Sequence, residues 1–154
     1  MELRKMAQRV LVIGAGIAGI LTAYMLRENG KEVVLIDKDE VCSGNTKNTT
    51  AKITLLHGAI YSKLLSDYGR ENAQMYLYAN QKALTEYERL CRNIDCNYEK
   101  KTAYAYSLTD KAKIEEEVQA INKLGLDAKF SENIQLPFEI AGAVKLENQA
   151  QFNP

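Results

Sequence analysis

Apolar positions along the chain change their period several times, and each change marks an element. Val10-Leu11-Val12-Ile13 is an unbroken β-branched-rich run, the pattern of a strand buried on both faces of a parallel sheet. Gly14 interrupts it. Over residues 17–28 the apolar positions Ile20, Leu21, Tyr24 and Met25 recur near the helical period. Asn29-Gly30 then supplies a stop, because glycine accepts the left-handed conformation past a helix end. Residues 32–36 (Glu-Val-Val-Leu-Ile) read as a second buried strand, ending at Asp37. The chain therefore opens as a βαβ unit.

Beyond that unit the texture alters. Residues 43–50 are polar and without apolar periodicity, which predicts a loop, and residues 53–60 are apolar but of ambiguous period. Over 70–94 a long helix is predicted, with Ala73, Tyr76, Leu77, Ala83, Leu84, Tyr87, Leu90, Cys91 and Ile94 on one face. Residues 98–108 alternate in part, with Thr102, Tyr104, Tyr106 and Leu108 on one side, and predict a strand. Thr109-Asp110 is a cap for a helix whose core positions are Ile114, Val118, Ile121 and Leu124, and Gly125 stops it. Short strands are expected at 127–130 and 143–146, and residues 148–154 look like the run into a further element, with Pro154 suited to a first helical turn.

Composition narrows the function classes. The 154 residues are 46% hydrophobic and 26% charged, which suits an ordinary domain and excludes disordered or low-complexity classes. Twenty Lys and Arg balance twenty Asp and Glu, which argues against a nucleic-acid partner, since such affinity comes largely from excess cations on phosphates. The uncharged run over 10–26 follows Arg4, Lys5 and Arg9 and resembles a signal or anchor segment. Its internal glycines, its shortness and the strand that follows oppose a membrane span. Cys42, Cys91 and Cys96 are odd in number, which suits a reducing, cytoplasmic setting, and with His57 as sole histidine they assemble no metal site.

The chemistry is carried by Gly14-Ala15-Gly16-Ile17-Ala18-Gly19, a G-x-G-x-x-G between a strand and a helix. The first glycine allows the tight turn, the second lets backbone approach a pyrophosphate, and the third lets helix and strand pack closely. The helix N-terminus adds amide donors and a positive dipole end. Asp37, eighteen residues after Gly19, is placed to accept from a ribose hydroxyl. These features predict dinucleotide binding. FAD and NAD(H) share this adenosine half, so the fingerprint leaves both open. The Thr/Asn-rich loop and long helix that follow, in place of a prompt third β-α pair, favour FAD.

Residues 9–38, the loop Thr46-Lys47-Asn48-Thr49-Thr50-Ala51-Lys52 and the ending 148–154 together resemble the start of the D-amino-acid-oxidase-type FAD-dependent oxidoreductases. That family includes glycine oxidase, sarcosine oxidase and D-amino-acid dehydrogenase. The segment 49–54 with His57-Gly58 is similar to a bacterial subgroup that often carries a C-terminal Rieske iron–sulfur domain. The resemblance implies an α/β architecture: an incomplete Rossmann-like FAD/NAD(P)-binding domain over 1–95, then the start of an α+β substrate domain over 96–154. It implies that Gly14, Gly16, Ile17, Ala18 and Gly19 hold the pyrophosphate and that Asp37, with Lys38 beside it, holds the adenosine ribose. Thr46, Thr50, Ala51 and Ile53 match positions along the ribityl chain and flavin. Lys52 stands where many members have glycine, and Asn153 replaces a histidine common before the proline. Members run to well over twice this length, so the chain is expected to be a front portion.

The resemblance further implies oxidation of an amine or amino acid by hydride transfer to the flavin, with no catalytic residue required in this stretch. The alternatives are a stand-alone NAD(H)-type module without catalysis and a truncated product with a structural role. His57 reads more readily as a hydrogen-bonded structural histidine than as a proton shuttle. Tyr98, Tyr104 and Tyr106 read more readily as sheet packing than as pocket lining, and Glu115-Glu116-Glu117 as a solvated helix face. Unpaired sheet edges are expected to promote self-association of the chain.

Overall fold

The computed structural model describes residues 9–153 and divides them into two units, 9–50 and 51–153. The first is the expected βαβ. Strands β1 (Arg9–Ile13) and β2 (Glu32–Ile36) pair in parallel with Arg9 opposite Glu32 and Ile13 opposite Ile36. Helix α1 (Ile17–Glu28) joins them and packs on one face of the pair. It ends on Asn29 with Gly30 at φ +72°; the Gly30 amide donates to Arg27 O and the Lys31 amide to Leu26 O, the paired bonds that close a helix on a left-handed residue. Val10, Val12, Val33 and Leu35 are half-buried, whereas Leu11, Ile13, Val34 and Ile36 on the opposite face are exposed. The expectation of strands buried on both faces therefore holds for one face only. The basic residues Arg4 and Lys5 lie outside the described residues, as does Pro154.

The second unit holds the larger core. Its sheet is antiparallel and built around β6 (Gly142–Gln151), which pairs with β4 (Glu99–Ser107) along one edge. The short strands β3 (Lys52–Ile53) and β5 (Lys129–Ser131) also pair with β6. Helix α2 (Tyr61–Cys91) bends at Gly69, whose φ of +76° is left-handed, and α3 (Lys111–Lys123) lies against both α2 and β6. The predicted helix at 70–94 thus begins at the bend and stops at Cys91, and a further helical segment precedes it. Ala83, expected on the buried face, is exposed. Residues 148–151, expected to lead into a new element, are instead the second half of β6. Tyr61, Leu77, Ile114, Ile121 and Val144 are fully buried at the centre of this unit.

Two polar residues organise that core. Glu117 is completely buried: Oε1 accepts the Tyr61 amide at 2.7 Å, while Oε2 accepts the Ser62 amide and hydroxyl at 2.9 and 2.8 Å. A carboxylate from α3 thereby caps the N-terminus of α2, satisfying donors that a helix start leaves free. The solvated-face reading holds for Glu115 and Glu116 and fails for Glu117. Gln149 is buried as well, its Oε1 accepting the Leu55 amide at 2.7 Å. It follows a bulge where β6 slips against β4 and Asn148 takes φ +58°. The compact units part between Thr50 and Ala51, and α2 packs against α3 within the second.

Candidate functional site

In the first unit the chain turns from β1 into α1 through Gly14, at φ +107°, whose amide donates to Ile36 O at 2.8 Å. That positive φ explains the first glycine. The third is explained by contact: a Cβ on Gly19 would stand 1.7 Å from the Gly14 carbonyl oxygen, an overlap no side chain survives. On Gly16 a Cβ would meet Thr46 Oγ1 at 3.3 Å, so the second glycine keeps the mouth of the turn clear. The cradle is thus one that side chains would fill.

Around it the polar groups converge. The Ala15 amide donates to Asp37 Oδ2 at 2.6 Å, and the Asp39 amide to Oδ1 at 3.0 Å. The Asp39 amide first, and then the Ala15 amide, hold the Asp37 carboxyl below its ordinary pKa, so it is ionised at neutral pH. The Ile17 amide donates to Thr46 Oγ1 at 3.0 Å. Ala18 and Gly19 lie in the first turn of α1, whose amides have no acceptor within the helix, and no acidic residue stands there. The helix start therefore offers donors and a partial positive charge to an anion. Together with the cleared mouth and the ionised Asp37, this donor set fits the pyrophosphate and ribose of a dinucleotide.

Of the residues singled out from the sequence, the structure brings together Gly14, Gly16, Ile17, Ala18, Gly19, Asp37 and Thr46. Thr46, which the resemblance places along the ribityl and flavin, is nearly buried at the N-terminus of α1. Lys38 is exposed, with its ammonium 3.6 Å from Asp39. Thr50 is exposed at the end of the first unit. Ala51 and Ile53 are buried in the second, Ala51 at φ +42° with its carbonyl accepting the Phe152 amide, and Ile53 in β3 opposite Ala150. Sequence reasoning missed Cys42, which adopts φ +61° and donates its amide to Ala15 O at 3.0 Å, bracing the turn. No pattern signals that role, because a backbone donor can be any residue.

In the second unit, Tyr104 and Tyr106 correct their packing assignment. They stand on the sheet face opposite the core, each a little under half exposed and lining a cleft of about 620 Å³, with the Tyr106 ring 5.9 Å from that of Phe138, while Ala103 and Ala105 pack inward. Tyr98 lies elsewhere, its hydroxyl buried without a partner among the described residues. His57 is exposed, its Nδ1 3.1 Å from the Tyr76 hydroxyl and its ring edge-on to that tyrosine. Cys42, Cys91 and Cys96 are free thiols; burial, then the neighbouring Cys96, push the Cys91 thiol up to about 11. Among the described residues no group of three His, Cys, Asp or Glu could hold a metal, and no helix is long and apolar enough to cross a membrane.

Comparison with known proteins accords with this geometry. YhfW of Bacillus subtilis, named as a Rieske 2Fe-2S iron-sulfur protein, is 38% identical over 149 residues, covering 94% of this chain and 29% of the relative. The chain thus spans less than a third of that relative's length. Among solved structures, the L-proline dehydrogenase of P. horikoshii superposes with a TM-score of 0.64 at 17% identity, covering 99% of this chain and 39% of that one. Glycine oxidase from Bacillus cereus does so at 0.61 and 19%, over 94% and 39%. Both share the fold. The family described as DAO, FAD dependent oxidoreductase, matches residues 9–154, and the chain belongs to that family of FAD-dependent enzymes.

Proposed function

We propose that this chain is the FAD-binding front portion of an oxidoreductase that oxidises an amine or amino acid. The observation that carries the reading is the cleared glycine turn with ionised Asp37 and first-turn amides that have no acceptor within α1, in a chain matched over 9–154 by an FAD-dependent family. In it the first-turn amides of α1 bind the pyrophosphate. Thr46, already accepting from Ile17, keeps its hydroxyl proton to donate to a phosphate oxygen. Asp37 keeps lone pairs for the ribose hydroxyls, and Lys38 beside it neutralises charge. Thr50, Ala51 and Ile53 lie along the ribityl chain and flavin. When bound, FAD supplies the acceptor for a substrate hydride.

In that division of labour 1–95 is the incomplete FAD-binding domain and 96–154 the start of the substrate domain. An amino-acid substrate is supported by the names of three structural neighbours: a glycine oxidase, an L-proline dehydrogenase and an L-amino acid deaminase. Free thiols support a reducing compartment such as the cytoplasm. The test is a titration of the purified chain with FAD and with NADH, followed by flavin fluorescence and thermal unfolding. FAD should raise the melting temperature and NADH should not; stabilisation by NADH alone overturns the reading.

A further inference from the structure

Two of the three cysteines stand together where α2 ends. Cys91 is the last residue of the helix, and Cys96 follows in the turn that leads to β4. The turn folds back on itself: the Ile94 amide donates to Cys91 O at 3.1 Å and the Cys96 amide to Ile94 O at 2.9 Å. Both cysteines are buried, whereas residues 92–95 between them are exposed. The Cys91 side chain makes a hydrogen bond with the Cys96 thiol. The Cys96 carbonyl accepts the Asn153 amide at 2.6 Å, and the ring of Tyr87, one helical turn before Cys91, lies 5.8 Å from that of Phe152. The pair therefore sits where the end of α2 meets the start of β4 and the end of β6.

We propose that Cys91 and Cys96 are a reversible dithiol–disulfide site, oxidised by a small-molecule disulfide and closing a lock on the end of α2. A thiolate of the pair attacks one sulfur of the small molecule, forming a mixed disulfide and releasing one small thiol. The other cysteine sulfur then attacks the mixed disulfide; the Cys91–Cys96 bond forms and the second small thiol leaves. The protein pair gives up two electrons and two protons, and the small-molecule disulfide takes up both in becoming two thiols. Access comes through the exposed residues 92–95, which follow a helix end, where local opening is easiest. A buried thiol held at about 11 carries little thiolate at neutral pH, so the site reacts slowly and stays reduced without a sustained oxidant. Packing alone explains a buried cysteine as a small apolar group, but it does not require two thiols to meet across a turn. Cys42 belongs to the other unit and serves as an internal control.

The experiment incubates the folded 154-residue chain with oxidised glutathione at mildly alkaline pH, alkylates the remaining thiols and maps the peptides by mass spectrometry. A Cys91–Cys96 bond should form, leaving the chain lighter by two hydrogen atoms, with Cys42 alkylated and both thiols restored by dithiothreitol. Closing the link should raise the melting midpoint by roughly 5 °C, because it restricts the unfolded chain. Cys91→Ala and Cys96→Ala should show neither the bond nor the rise, and thermal unfolding of the untreated variants checks that they are folded. No step requires FAD, so the outcome is independent of the flavin reading. Glutathione retained on Cys91 or Cys96 of the unsubstituted chain, a bond to Cys42, or no reaction overturns the site. A Cys91–Cys96 bond without the rise overturns the lock.

Discussion

The two units bury their apolar residues to different degrees. In the first, Ile13 is 78% exposed and a whole face of the β1–β2 pair is bare; in the second, Leu77 is 1% exposed and Tyr61 is sealed. Yet the smaller, barer unit holds a tightly constrained backbone at its candidate site: the turn at Gly14, the contact at Gly19 and the amides tied to Asp37 and Thr46. Parallel sheets are ordinarily covered on both faces, so the first unit is organised for binding before its sheet is covered. Burial and binding precision are separable properties in this chain.

Gly19→Ala should break that separation most visibly. Its Cβ would fall 1.7 Å from the Gly14 oxygen, so α1 must leave β1 and FAD binding should be lost, read by flavin fluorescence. The second unit should keep its near-ultraviolet circular dichroism. Next in size, Leu77→Ala should cost about 2–5 kcal/mol in chemical denaturation. Ile13→Lys, on the bare face, should change stability by less than about 0.5 kcal/mol. We propose that unpaired sheet edges let the chain self-associate, and the same Ile13→Lys, on the open strand β1, should weaken that association in sedimentation velocity; unchanged association would overturn it.

Glu117→Gln tests whether the second unit depends on its tertiary cap. An amide has one acceptor oxygen where the carboxylate has two, so a donor of Tyr61 or Ser62 is left unmatched. The expected loss is about 1–3 kcal/mol, and a loss no larger than for Glu116→Gln would show that the cap contributes little.

The smallest contrast is in pH. Asp37 is held below its ordinary value of 3.8 by the Asp39 and Ala15 amides. Its contribution is therefore present above that value and lost as pH falls through the folded one. Tyr61 is pushed well above 10.0, chiefly by burial and then by Tyr76 and Glu117, so its contribution is present below 10.0 and lost as pH rises beyond it. Melting curves should show an acid limb removed by Asp37→Asn and an alkaline limb removed by Tyr61→Phe. Interchange of the two would refute the assignment.

Much of this was legible in order along the chain. Helix α1 at Ile17–Glu28 and strand β2 at Glu32–Ile36 fall where the apolar period and the glycines put them. Asp110 caps α3 by accepting the Lys113 amide, as its position predicts. The glycine fingerprint was legible because each glycine answers a local demand of turn or contact. Three features were not: the burial of one glutamate among Glu115-Glu116-Glu117, the placing of Thr46 at the start of α1, and the cleft beside Tyr104 and Tyr106.

What the sequence determined by itself was the βαβ opening with its ends, the cap of α3 and the dinucleotide turn, because period, capping and φ preference act within a few residues. Only the tertiary structure decided which polar side chains became structural and which faced a cleft. Glu117 is buried because Tyr61 and Ser62, more than fifty residues away, bring free amides to it. Thr46 is buried because the Ile17 amide needs an acceptor across twenty-nine residues. Such partners are set by packing between distant segments, and a hydrogen bond of that kind leaves no period in the chain to be read.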